Sequence, residues 1–207
     1  MAKWQSKSGS KSRRSEPASK TVTTSPSKPP KHGGSFSVPY VDARNLAIVG
    51  PYIIGNWSVP DALAEALRKS GKAVPKLVSG AMLVDTGADK TCIAEDVAIE
   101  LGLQAVDRQK VRGAGGLDEN TVYAAKLNIA IVRTDGSRSE VLMTIRAVGI
   151  PELREHFEAN KVNVNGRSLR LIGLLGRDLL RYSKIVYRGE TGVVDYTFNF
   201  GPLIDQK

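Results

Sequence analysis

Leu83-Val-Asp-Thr-Gly-Ala-Asp-Lys-Thr-Cys-Ile93 is the stretch on which the reading of this chain turns. Ala81, Met82, Leu83 and Val84 read as a buried strand, and they run directly into Asp85-Thr86-Gly87 and a polar turn. A carboxylate is thereby set at a strand end. Burying a charge without a partner is costly, so folding alone gives no reason for an acid there, and chemistry is the better explanation.

Two further motifs lie downstream. Val111-Arg-Gly-Ala-Gly-Gly-Leu-Asp-Glu-Asn120 precedes a run rich in β-branched residues, Thr121 to Val132. Glycines at 113, 115 and 116 suit a hairpin tip, where positive φ and close backbone approach are needed. A dinucleotide-binding loop requires a helix directly after its glycines, and here a polar turn and a strand follow instead. An ordinary Gly-rich hairpin is the plain alternative. The third motif, Leu171-Ile-Gly-Leu-Leu-Gly-Arg-Asp-Leu-Leu180, reads as an apolar strand, a glycine and a short helix opened by charge.

In this order the three motifs resemble those of the aspartic proteases, specifically the retropepsin-like branch in its stand-alone cellular or bacterial form. The resemblance spans about Pro39 to Phe200 and is concentrated in the motifs. It implies a mainly β fold: a closed, orthogonal β-barrel (one acid-protease half) with two or three short helices, completed by dimerisation. It also implies an aspartic endopeptidase acting on polypeptide, with no cofactor and no metal. Asp85, Thr86 and Gly87 match the catalytic turn, Thr86 locking the two loops across the dimer. Ala88, Asp89 and Lys90 fall where substrate is contacted. Gly113, Ala114, Gly115 and Gly116 match the flap, and Ile172 and Leu174 the pocket walls. Leu175, Gly176 and Arg177 match the support beneath the turn, where the arginine pairs with the acid at Asp89. The final stretch, Tyr196-Thr-Phe-Asn-Phe200, is expected to interleave with its mate at the dimer interface. Two readings from other classes stand beside this one. One is a catalytically silent binding or scaffold module that keeps the fold. The other is a retroelement-derived protease, or a nucleic-acid-binding protein, that uses its basic tail.

Composition fixes the organisation. Residues 1–37 are rich in Ser, Lys, Pro and Thr and hold eight basic residues against Glu16, so they carry +7 of the chain's formal +9. They are too poor in apolar side chains to offset the entropy of ordering. The expectation is a disordered basic tail over 1–37 and one near-neutral domain over 38–207. The tail reads most simply as a solvated arm, with weak contact to nucleic acid, anionic lipid or an acidic partner as its functional alternative. No stretch has the apolar length of a bilayer span or the core of a secretory signal. Cys92 is the single cysteine, and His32 and His156 are the two histidines. That excludes an internal disulfide and a zinc cluster, and the expected compartment is a reducing cytoplasm. A lone buried cysteine without a nearby histidine is read as a core residue, and the absence of a Gly-x-Ser-x-Gly elbow leaves a serine hydrolase unsupported.

Among the elements, Leu46 to Ile54 reads as a first strand broken at Gly50-Pro51. A helix opens at Pro60-Asp61 with Ala62, Leu63, Ala66 and Leu67 inward and stops at Gly71. A second covers Glu95 to Leu101, with Val97, Ala98 and Leu101 inward and Gly102 at its end. Residues Ile150 to Arg170 form an insertion relative to compact viral enzymes, with a short helix over Pro151 to Asn160.

Overall fold

A computed structural model of the chain describes residues 33–39, 43–113, 116–132, 138–151, 153, 163–164 and 167–199. In chain order the described elements are β1 (Gly33–Pro39), α1 (Ala43–Val49), β2 (Tyr52–Ser58), α2 (Asp61–Lys69), β3 (Val78–Val84), β4 (Cys92–Ala94) and α3 (Glu95–Glu100). They continue with β5 (Ala105–Gly113), β6 (Gly116–Val132), β7 (Arg138–Ile150), β8 (Asn163–Val164), β9 (Arg167–Ser168), β10 (Leu171–Leu175), α4 (Arg177–Leu180), β11 (Ser183–Arg188) and β12 (Val193–Asn199).

Alternating side chains build the barrel. In β6, Tyr123, Ala125, Leu127, Ile129 and Ile131 are buried and belong to one core, while Lys126 and Ala130 point away from it. β7 repeats the pattern with Val141, Met143 and Ala147 inward and Leu142, Thr144 and Arg146 exposed. The strands hydrogen-bond in the order β2-β3-β10-β4-β7-β6, and β2 pairs again with β6, so six strands close on themselves and β5 extends from β6. Trp57, fully buried, fills the interior and donates its indole N–H to the Ile172 carbonyl at 3.0 Å. Closure of this mixed sheet leaves the barrel strands without free edges, which avoids unwanted pairing. The mainly β barrel is thus the one the sequence implied.

Several local expectations need correction. Leu46–Val49 is helix, not strand: Leu46 and Val49 are buried at i and i+3 whereas Ala47 and Ile48 face solvent. Gly50, at φ +78°, then ends the turn by donating to the Leu46 carbonyl at 2.8 Å. A short apolar run carries no periodicity of its own, so it reads equally as strand or helix. With α1 and α4 counted, the described residues hold four short helices and not two or three. In α2 the inward face is Leu63, Ala64 and Leu67, with Ala62 and Ala66 exposed. α3 buries Val97, Ala98 and Leu101 and ends at Gly102 with φ +62°, as expected.

The ends of the chain also differ from expectation. β1 starts at Gly33, inside the segment read as tail, and pairs along β12 from Gly33↔Asn199 to Pro39↔Val193. β11 takes the other side of β12, from Ser183↔Phe198 to Arg188↔Val193. β12 is therefore the centre of a three-stranded sheet within one chain, and neither of its edges is open for a mate. Its Val194, Tyr196 and Phe198 are fully buried, and the Tyr196 hydroxyl donates to the Tyr52 carbonyl at 3.2 Å, fastening this sheet to β2. Residues 1–32 and 154–162, with His32, His156 and most of the expected 151–160 helix, lie outside the described residues, as does Phe200. Among the described residues no helix is long and apolar enough to cross a membrane.

Replacing Trp57 with Phe keeps an aromatic ring but removes the indole N–H and leaves a small cavity, and it strands the buried Ile172 carbonyl, an acceptor whose loss of partner costs about 1–3 kcal/mol. The expected outcome is a lower urea midpoint with an unchanged m-value, read by tryptophan-independent far-UV circular dichroism; an unshifted midpoint contradicts the role of this bond.

Candidate active site

The site begins where β3 and β10 run side by side. They are parallel, with Leu174 beside Leu83 and Leu175 beside Val84. The Asp85 amide donates to the Leu175 carbonyl at 3.0 Å, so the acid emerges just where the ladder ends. Its Oδ1 then accepts the backbone N–H groups of Gly87 at 2.7 Å and Ala88 at 3.3 Å. Two amides thus fix the carboxylate on its own turn. Asp85 is half-buried, Thr86 and Gly87 are exposed, and the other carboxylate oxygen has no hydrogen bond among the described residues.

Gly176 passes directly beneath this turn. A Cβ on it would lie 2.3 Å from both the C and the O of Lys90 and 2.8 Å from the Thr91 nitrogen, backbone atoms that have no room to move. The Gly176 amide donates to Thr91 Oγ1 at 3.2 Å, and the Thr91 hydroxyl donates to Asp178 Oδ1 at 2.7 Å. Thr91 is fully buried and Asp178 half-buried, so the hydroxyl at the centre of this relay is shielded from water. Asp178 Oδ1 also accepts the Leu179 amide at 2.9 Å. Sequence reading missed Thr91 and Asp178; the signal was a hydroxyl six residues after the acid and a carboxylate two residues after the glycine, each weak alone.

Arg177 behaves differently from expectation. Its Nη1 donates to the carbonyls of Thr86 at 3.0 Å and Gly87 at 3.2 Å, and its amide donates to the Ala88 carbonyl at 2.9 Å. No ion pair joins it to Asp89 among the described residues. The guanidinium holds the turn by its backbone, whose carbonyls point down while the carboxylate of Asp89 stays exposed.

The expected pocket walls divide. A bulge between Leu171 and Gly173 breaks the alternation of β10. Ile172 is consequently fully buried in the barrel core with Trp57 and Met82, and it does not face the cleft. Leu174 is half-buried and packs with Val111 and Ile150 against Cys92, Val122 and Val148, a small apolar layer under the turn. Leu175 is fully buried in the main core. Of the flap residues, Gly113 and Gly116 pair at the end of the β5–β6 ladder, Gly116 at φ +131°, while Ala114 and Gly115 lie outside the described residues. Between the turn and this hairpin opens a cleft of about 250 Å³ lined by Gly87, Asp89, Gln109, Lys110, Val111 and Arg177. Lys90 is exposed and does not line it.

A closed barrel that delivers Asp-Thr-Gly from a strand end, beside a glycine hairpin and above a glycine-arginine support, defines an acid-protease type of site. A family profile described as aspartyl protease matches residues 76–179, from just before β3 through α4, and the chain belongs to that family. No curated protein matches the chain.

Cys92 sits next to the turn without being part of its chemistry. Burial, aided by the negative charges of Asp178, Asp89 and Asp85, pushes its thiol up to about 12 from the ordinary 9.0. The protonated form is the folded form, so the thiol's contribution to stability is fully present below about 9 and fades as pH rises from there toward about 12. At pH 8.5 a cysteine at that ordinary value is about one quarter thiolate, whereas this one is almost wholly protonated. Iodoacetamide at that pH should label the native chain at least roughly a hundredfold more slowly than the guanidinium-unfolded chain, followed by intact mass. Equal rates would show that the thiol is not held in this environment.

Proposed function

We propose that the chain is an aspartic endopeptidase whose Asp85 meets the Asp85 of a second copy to form one catalytic dyad. Family membership supports a peptidase. The observation that carries the finer reading is the half-occupied carboxylate: Asp85 Oδ1 is tied down by Gly87 and Ala88, and its other oxygen is left for a partner or a water at an exposed rim.

Chemistry follows from the electrostatics of such a pair. Two carboxyl groups about 3 Å apart do not both ionise easily, and they hold one proton between them. The ionised member takes a proton from a water lying between them. The protonated member hydrogen-bonds the peptide carbonyl, and attack gives a tetrahedral gem-diol whose collapse breaks the C–N bond. Thr86 links the two turns through its hydroxyl, Gly87 lets substrate backbone lie close, and the β5–β6 hairpin at Gly113 and Gly116 covers the peptide and excludes water. Ala88 and Asp89 contact substrate beside the turn. Both edges of β12 are taken in the chain, so a second copy pairs through other surfaces, the outer edges of β1 and β11 being the free ends of that sheet among the described residues.

Asp85→Asn removes the shareable proton with almost no change of volume. Peptide turnover should disappear while sedimentation and circular dichroism match the wild type; full turnover in the mutant sinks the assignment, and a silent scaffold is the reading that survives if neither protein cuts a broad peptide library. A half-site per chain also makes activity concentration-dependent in a particular way. Specific activity should fall on dilution through the dimer dissociation range measured by sedimentation, whereas a rate strictly proportional to concentration throughout that range would point to a single-chain site.

A further inference from the structure

The cleft beside the catalytic turn is polar, and its charges are not balanced. Lys110 and Arg177 are cationic, Asp89 is anionic, Gln109 is neutral, and Val111 is its one sizeable apolar side chain. Arg177 is held in place by the Thr86 and Gly87 carbonyls, so its charge is fixed at the base of the cleft. Lys110 comes from β5, on the opposite wall, and stands across from Glu119 in the ladder. Glu119 is engaged elsewhere, by Arg108 at 3.5 Å. Neither Lys110, Arg177 nor Asp89 has an ion-pair partner among the described residues. The lining therefore carries one surplus positive charge, with a guanidinium held by carbonyls on one wall and an exposed lysine on the other.

We infer that Lys110 and Arg177 form a specificity pocket for a substrate carboxylate, either an acidic side chain near the scissile bond or the free carboxyl terminus of a peptide. This rests on the protease reading for its substrate but not for its geometry. Arg177 offers a planar, directional donor, and Lys110 a mobile point charge that adapts to ligand length. Asp89 disfavours a second anion at the near wall and accepts a backbone N–H of the same peptide. An apolar side chain gains little here, because Val111 supplies only one wall and the polar groups opposite lose water without a partner. A basic side chain meets two like charges.

The test has two arms with separate readouts. In the first, the full chain digests a positional-scanning peptide library in which one position is fixed as Glu, Gln or Lys, prepared both as C-terminal amides and as free acids. One position should favour Glu over Gln by about tenfold, and Lys110→Glu should turn that preference toward Lys. Preference confined to the free acids assigns the pocket to the chain terminus; preference in the amides assigns it to a side chain. Equal cutting of Glu, Gln and Lys overturns the inference while leaving the protease standing. If the wild type cuts nothing, the protease reading fails and the second arm decides. There the amide resonances of Gly87, Gln109 and Lys110 are followed as N-acetyl-glutamate amide, N-acetyl-glutamine amide or N-acetyl-glycine is added to the full chain. Shifts that saturate with a carboxylate and not with the glutamine compound, and that vanish in Lys110→Glu, support the pocket. Identical or absent shifts overturn it.

Discussion

Everything at this site depends on how closely the backbone of β10 can approach the backbone of the catalytic turn. Gly176 lies so near Lys90 and Thr91 that any Cβ would overlap main-chain atoms, and that proximity is what lets the buried Thr91 hydroxyl bridge the Gly176 amide and the Asp178 carboxylate. Four further bonds act in the same direction: Asp85 N–H to Leu175, Arg177 N–H to Ala88, and the guanidinium to Thr86 and to Gly87. Asp85 is thus positioned by backbone contacts from a strand 90 residues away in sequence. A turn held only by its own residues would be a surface loop, and surface loops are among the most mobile parts of a fold. Anchoring it to a central strand of a closed barrel holds the acid in one place.

The barrel and the cleft are connected through a second, smaller contact. Val111 at the base of the β5–β6 hairpin packs with Leu174 and Ile150 on the Cys92, Val122 and Val148 layer. The hairpin's base is therefore fixed to the same strands that hold the turn. The same layer explains why Cys92 is a thiol without a reaction. Its sulfur is part of the apolar layer, where burial, aided by the charges of Asp178, Asp89 and Asp85, disfavours the thiolate.

What the sequence made legible was whatever physics ties to a local pattern. Leu83 to Gly87 announced a strand ending in an acid because apolar run and charge meet abruptly, and Glu95 to Gly102 announced a helix because its apolar spacing and its glycine stop agree. Where local pattern was silent, the reading went astray. Leu46 to Val49 is uniformly apolar, and only the positions of its neighbours decide that it coils. The family resemblance implied Ile172 as a pocket wall together with Leu174; one bulge at Leu171–Gly173 breaks the alternation that would keep the two on one face. Arg177 carried a charge whose nearest sequence-visible partner was an acid, yet carbonyls aligned by the turn proved the better acceptors. Thr91 and Asp178 were invisible for a related reason, since 87 residues separate them and only the tertiary fold brings them together.

The sheet at the chain ends constrains how one copy could meet another. β12 carries the bulky alternating side chains that suggested an interface, but those side chains are consumed in the chain's own core: Tyr196 and Phe198 stack 6.1 Å apart, and Tyr196 reaches the β2 backbone. Alternation reports that one face of a strand is buried; it does not report against whom. With β1 and β11 on its two sides, β12 has no backbone groups to offer, so exchange of strands between copies would require β1 or β11 to leave it first. Pairing by the outer edges of β1 or β11 needs no such loss, because those edges lack a strand partner among the described residues. Edge addition costs only the ordering of two surfaces that already exist, whereas exchange also costs seven paired positions along β1. The intact sheet therefore favours association by addition over association by interleaving.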